Sequence, residues 1–177
     1  MNFRDFLQME GEIVEKNKGE HVFRQADSDR NLYFIQTGLL KAYYTSDEGK
    51  EFIKSFLLPN DLIGSLTAAY SEAECSFSLV CLERTTLLKI SFEVLLDYSK
   101  REPEIANNMI ELLLRFAMKK EKREFEFLCL SAEKRYANIA ASSPTILEKI
   151  TQNDLARYLG ITPVGLSRIK KRIKGAE

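Results

Sequence analysis

Apolar positions along the chain change their period twice, and the changes divide it into three regimes. Residues 1 to 15 (MNFRDFLQMEGEIVE) carry Phe3, Phe6, Leu7 and Met9 at roughly helical spacing, which predicts a short docking helix. From about Ile13 to Ile90 the texture becomes short alternating segments: HVFRQA, LYFIQTG, LLKAYYTS, FIKSFLL, SFSLVCLE and TTLLKIS. Turn residues separate them at Asn17 to Gly19, Asp27 to Asn31, Thr37-Gly38, Asp47 to Gly49 and Pro59 to Asp61. Alternation punctuated in this way predicts an antiparallel β-roll or small jelly roll.

Pro103 opens the third regime. Ile105, Met109, Leu112, Leu113 and Phe116 recur mostly at spacings of three and four, so one long helix is expected from about Glu104 to Leu130. Its apolar stripe is wider than one β-roll face needs, which leaves part of it free to pair with the same helix of a second chain. The run Lys119 to Glu124 (KKEKRE) interrupts the stripe, either as a solvated turn or as a seam weakened so that a switch can tighten it. Leu130-Ser131 follows as a hinge. Ser131 can cap a helix over 132–142, although Lys134 stands where a capping box would place Glu or Gln. Ser143-Pro144 ends that helix, and Ile146 to Ile150 lead into the next cap.

The last stretch, Thr151 to Lys174 (TQNDLARYLGITPVGLSRIKKRIK), has helix-turn-helix spacing. Leu155, Leu159, Ile161, Leu166 and Ile169 allow two short helices, broken at Gly160, to turn one face inward. Ala156 is small where the helices cross, and Gly160 can take the positive φ that redirects the chain. Thr162 is the expected N-cap of the second helix, with Pro163 at its first position, where a missing N–H costs nothing. That helix carries Arg168, Lys170, Lys171, Arg172 and Lys174. Its first turn can meet base edges in a major groove while the basic tail lies near phosphates.

Charge sharpens this division. Net charge is zero over 177 residues, but residues 1–99 hold ten Lys and Arg against sixteen Asp and Glu, and residues 100–177 the reverse. A polyanion is therefore expected to meet only the C-terminal half. With 45% apolar and 29% charged residues the chain has the composition of a soluble globular protein. The three cysteines, Cys75, Cys81 and Cys129, form no CxxC pair and are expected as buried thiols. No signal peptide and no apolar run near 18 residues is visible, so the expected location is the cytoplasm, with no membrane partner.

Taken in this order, β-roll, long helix and helix-turn-helix resemble the Crp/Fnr family of bacterial transcription regulators over nearly the whole chain. The residues that carry the resemblance are NLYFIQTGLLKAYY (Asn31 to Tyr44), DLIGSL (Asp61 to Leu66), FLCLSAEKR (Phe127 to Arg135) and LARYLGITPVGLSRI in the last two helices. The fold class so implied is α+β: a cyclic-nucleotide-binding-like β-roll sensor over 1–102, a dimerisation helix over 103–130 and a DNA-binding region over 131–177. The chain stops at Glu177, so most of the β-hairpin wing of many members is expected to be lacking. The resemblance implies a homodimer that binds two-fold symmetric double-stranded DNA, RNA polymerase as a further partner, and an effector pocket between β-roll and long helix.

Departures from the family are as informative. In members that bind cyclic AMP, a Gly-Glu-Leu motif holds the ribose and an Arg-Ser pair the cyclic phosphate. Here these fall on Gly64-Ser65-Leu66 and Cys75-Ser76, and the helix pair that meets the base falls on Lys120-Glu121. No Arg or Lys lies between Lys54 and Arg84, so cyclic AMP is not expected and the effector is unknown. An Fnr-type cluster needs N-terminal cysteines and none precedes Cys75, while His21, the only histidine, is expected as a surface or packed imidazole rather than a haem ligand. In the second motif helix Pro163 and Val164 stand where the best-known half-site readers place Arg and Glu. Thr162, Val164, Ser167 and Arg168 are then the expected base readers, and Lys170, Lys171 and Arg172 the phosphate contacts.

Two other classes compete with this reading. Pro163-Val164, Gly165 inside the second helix and the missing wing fit a ligand-binding or interaction module with a vestigial helix-turn-helix. An enzyme on a cupin-like jelly roll would need several histidines for its metal, and one cannot supply them.

Overall fold

Alternation in the first half becomes eight strands: β1 (Glu12–Lys16), β2 (His21–Phe23), β3 (Asn31–Thr37), β4 (Leu40–Thr45), β5 (Glu51–Leu57), β6 (Leu62–Ile63), β7 (Ser78–Cys81) and β8 (Thr85–Ser91). The computed structural model describes residues 3–174, so the outer ends of the first and last predicted segments, 1–2 and 175–177, lie outside the described residues, as do the side chains of Arg4 and Lys174. The strands form two antiparallel four-stranded sheets, ordered β1-β8-β3-β6 and β2-β7-β4-β5. Between them lies a core of Phe23, Ile35, Leu40, Leu57, Leu79 and Leu87. The segment TTLLKIS coincides with β8, whereas HVFRQA keeps only its first three residues as strand. β1 and β6 are additional to the sequence expectation: EIVEK presents mostly exposed, charged positions, and β6 is two residues long.

The helices are α1 (Phe3–Glu10), α2 (Leu66–Ser71), α3 (Phe92–Arg101), α4 (Pro103–Cys129), α5 (Ala132–Ser142), α6 (Pro144–Lys149), α7 (Gln152–Leu159) and α8 (Pro163–Lys174). Helices α2, α3 and α6 are not predicted from the sequence. α3 follows β8 with no turn residue between them. Ser91 makes the change of period, its Oγ accepting the Val94 N–H at 3.5 Å.

Both sheets are covered on their outer faces. Phe6, Leu7, Phe92, Leu95 and Ile105, from α1, α3 and α4, pack on Leu32, Leu62, Leu88 and Ile90 of the first sheet. On the second sheet, Tyr43, Ile53, Phe56 and Val80, with Leu39 just before β4, receive Ile139, Ile146, Ile150, Leu155, Ala156, Leu159 and Leu166 from the C-terminal region. All four residues of β7 are consequently buried, its inner face by the core and its outer face by this helical layer. Each Leu or Ile so covered contributes about 2 kcal/mol, so the layer is held on the sheet by its apolar face.

α4 is covered along one side only. Ile105 is buried and Met109, Leu112 and Phe116 are partly buried, while Ile110, Leu114, Met118, Phe125 and Leu128 form an opposite stripe ranging from 55% exposed at Ile110 to 77% at Leu128. The basic run within α4 is solvated except at Arg123, which is half-buried. The expectation of three buried thiols needs correction: Cys75 and Cys81 are buried, but Cys129 is exposed, because it ends α4 at a turn that the β-roll does not reach. Among the described residues, no helix is long and apolar enough to cross a membrane.

Candidate nucleic-acid interface

The two motif helices are set by local chemistry. Thr151 caps α7, its Oγ accepting the Asp154 N–H at 3.0 Å and its hydroxyl donating to Asp154 Oδ2 at 2.8 Å. Gly160 ends α7 at φ 69°, the left-handed conformation that lets its N–H and that of Ile161 return to the last-turn carbonyls. It is required a second time by packing, since a Cβ there would lie 2.5 Å from Phe127 Cζ. Thr162 then caps α8, accepting the Gly165 N–H at 3.1 Å.

Leu166 and Ile169 turn inward from α8, and Ala156 is fully buried beneath that layer. The opposite face presents Thr162, Val164, Ser167, Arg168, Lys171 and Arg172, all exposed. Lys170 departs from the expectation of a free phosphate contact. Being one turn beyond Leu166, it lies on the inward edge, bonds Gln152 Oε1 at 2.5 Å and sits over the Tyr136 ring. Arg172 is exposed but paired with Glu133 at 2.5 Å, the two flanking a shallow groove between α5 and α8.

Two arginines without a role of their own in the sequence expectations anchor this unit. Arg135 donates to the carbonyls of Glu126, Phe127 and Leu130 at the end of α4, and to that of Leu159 at the end of α7. Arg123 donates to Tyr158 O at 2.5 Å and Ile53 O at 3.5 Å. Both guanidinium groups stack on Phe127, and Arg123 also on Tyr158. Burial holds the Arg123 pKa below the ordinary guanidinium range and pushes the Tyr158 phenol up. On the β-roll side, Lys41 pairs with Asp154 at 3.0 Å and Glu51 at 3.4 Å, and Arg157 pairs with Glu51 at 2.6 Å. The first turn of α7 is thus ion-paired to β4 through Asp154, and its last turn to β5 through Arg157. Of the surface and packed states expected for His21, the half-buried ring takes the second, with its Nε2 hydrogen-bonded to the Tyr43 hydroxyl at 2.9 Å.

The five loop residues expected at the effector pocket come together and close on themselves. Gly64 is needed because a Cβ would meet Asn31 O at 2.6 Å. Ser65, buried, accepts the Ser76 N–H at 3.3 Å, Thr67 bridges to Ser76 Oγ at 3.4 Å, and Leu66 is half-buried beside them. Burial raises the Cys75 thiol pKa, and its Sγ faces Asp29 O at 3.6 Å. Of the two helix residues expected there, Lys120 and Glu121 are both exposed on α4, and Glu121 belongs with Met118, Lys122 and Phe125 on the outer stripe. A helix rotates by about 100° per residue, so the two side chains leave α4 in different directions.

Comparison with known proteins agrees with this architecture. Residues 13–102 match the cyclic nucleotide-binding domain family. The anaerobic regulatory protein of Pasteurella multocida is 30% identical, the match covering 98% of this chain and 68% of that protein. The fumarate and nitrate reduction regulatory protein of Vibrio cholerae is 26% identical over 94% of this chain and 72% of its own length. The catabolite activator protein of Thermus thermophilus superposes with a TM-score of 0.61 at 25% identity, over 98% of this chain and 83% of that one. These relatives are regulatory proteins rather than enzymes. A cyclic-nucleotide-binding-type β-roll, a long helix and an α7–α8 pair, met in one chain with these relatives, identify it: the protein belongs to the Crp/Fnr family of transcription regulators.

Proposed function

We propose that this regulator binds double-stranded DNA as a homodimer through the outer face of α8, and that its β-roll has lost the residues that recognise cyclic AMP. The observation that carries the reading is the division of α8 into an inward apolar edge and an exposed face of small polar and cationic groups. Val164 can meet a thymine methyl, Ser167 can adapt as donor or acceptor, and Arg168 can fork onto guanine; Lys171 and Arg172 lie further along, at the height of the phosphates. In a selection from random DNA, one operator should be enriched. Against it, Arg168→Ala should relax preference at one base pair by about 2 kcal/mol, and Lys171→Ala should weaken all sequences alike, reducing the salt slope by about one. Equal losses on every DNA from Arg168→Ala, or no enrichment at all, would return the module with a vestigial motif to first place.

Dimerisation rests on the uncovered stripe of α4. An apolar stripe of this length on one helix face matches the seam of a two-helix pair, and two copies so paired would present their α8 helices about one DNA turn, roughly 34 Å, apart. Leu114→Lys sets a charge at the middle of that seam. Sedimentation velocity should find dimer for the wild type and monomer for the variant, with operator affinity falling accordingly; a dimeric variant would move the interface elsewhere.

The loss of cyclic AMP recognition is supported by chemistry at the loop. Ser65 offers a hydroxyl where a ribose-binding carboxylate is needed, and Cys75 offers no guanidinium.

A further inference from the structure

Of the cations on α8 whose side chains are described, two are already engaged within the chain. Lys170 bonds Gln152, and Arg172 pairs with Glu133 of α5 at 2.5 Å. Arg168 and Lys171 are exposed and make no ion pair among the described residues. The cationic face of α8 is therefore smaller in the folded protein than along the sequence.

The place of Glu133 is set by α5 rather than by α8. Ser131 caps α5, its Oγ accepting the Lys134 N–H at 3.3 Å, and Arg135 ties the start of α5 to the ends of α4 and α7. Glu133 stands between these two residues, so its carboxylate is carried on an anchored turn, where the helix dipole also favours it. Gly165, Arg168 and Arg172 recur at spacings of three and four along one edge of α8, and Ala132 and Glu133 face them across a shallow groove. Ala132 and Gly165 are too small to come between Arg172 and Glu133.

The pair is open to water, Arg172 being 68% and Glu133 42% exposed, so it is worth roughly fivefold in an equilibrium constant at most. Even so, DNA has little to gain by breaking it. A phosphate that takes Arg172 replaces one anion by another, and it leaves an unpaired carboxylate on an anchored turn beside the polyanion. We infer that Glu133 withholds Arg172 from the DNA backbone, leaving Lys171 to meet the phosphates at this end of α8. The inference rests on the reading of α8 as the DNA-binding helix and concerns how tightly that helix binds. Because a phosphate contact carries no sequence information, Glu133 lowers affinity and salt dependence for every sequence alike, while Arg168 remains free to read a base.

The test measures binding of the full chain to a random-sequence duplex across a salt series. Glu133→Gln should bind about threefold tighter at low salt, with a log–log salt slope steeper by about one, the signature of one more phosphate contact. Glu148→Gln makes the same change in net charge from an exposed position on α6 and should move neither quantity. The double variant Glu133→Gln/Arg172→Gln replaces one neutral pair by another and should return both quantities to their wild-type values. No gain in Glu133→Gln, or an equal gain in Glu148→Gln, overturns the inference. A double variant that binds more weakly than the wild type, with a shallower slope, also overturns it, because Arg172 would then reach a phosphate with Glu133 in place. Lys171→Ala on the same duplex separates the two readings. Weaker binding there beside an unchanged Glu133→Gln sinks only the role of Glu133, whereas wild-type binding by Lys171→Ala sinks the role of α8 and this inference with it.

Discussion

Arg135→Ala is expected to destabilise the C-terminal helices by about 3 kcal/mol, the scale set by losing several charge-assisted hydrogen bonds at once. One guanidinium serves four carbonyls, at 3.4 Å on Glu126, 3.1 Å on Phe127, 2.9 Å on Leu130 and 3.0 Å on Leu159. Three of these close the last turn of α4, where the helix dipole also favours a cation, and the fourth closes α7. The planar group additionally stacks on Phe127, with its centre 4.7 Å from the ring. Arg135→Lys keeps the charge but offers no fork and no flat face, so it should recover less than half of the loss. Urea unfolding followed at α7 by amide exchange would measure both variants. A change below about 0.5 kcal/mol in Arg135→Ala, the size of an ordinary surface substitution, would show that water replaces the side chain without cost.

Lys41→Met should have an effect of similar size, about 3 kcal/mol, because it strands a carboxylate in the seam between sheet and helices. The side chains of Lys41 and Asp154 are 11% and 12% exposed, so neither recovers full hydration when its partner is lost. Asp154 retains the Thr151 hydroxyl at 2.8 Å, which limits the damage without removing it. The double variant Lys41→Met/Asp154→Leu replaces the pair by apolar groups of similar size and should recover most of the stability, whereas additive losses would show that the two residues act separately. Arg157→Ala is the exposed counterpart. Its pair with Glu51 is nearly half open to water, and the expected cost stays below about 1 kcal/mol.

Local chemistry is what made so much of this fold legible in advance. Thr151, Gly160, Thr162 and Pro163 act on backbone groups within a few residues of themselves, and TTLLKIS pairs through an alternation that needs no knowledge of its neighbour. The same locality explains the misses. SFSLVCLE keeps only Ser78–Cys81 as strand, buried on both faces because helices from residues beyond 131 cover the outer one, and α3 escapes notice because β8 passes into it without a turn. The loop expectations divide in the same way: Gly64, Ser65, Cys75 and Ser76 meet, while Lys120 and Glu121 diverge on a helix whose rotation their adjacency in sequence conceals.

What the sequence by itself determined is the order of parts, the caps and turn of α7 and α8, the charged tail of α8 and the excess apolar stripe of α4. Only the tertiary structure decided that the motif helices lie on the second sheet, that Arg123 and Arg135 hold helix ends, and that Lys170 bonds back to Gln152. The physical reason is distance along the chain. A lysine in a strand or an arginine in a charged run carries the same signature whether water or protein surrounds it, and Lys41 meets Asp154 across 113 residues that no local pattern can span.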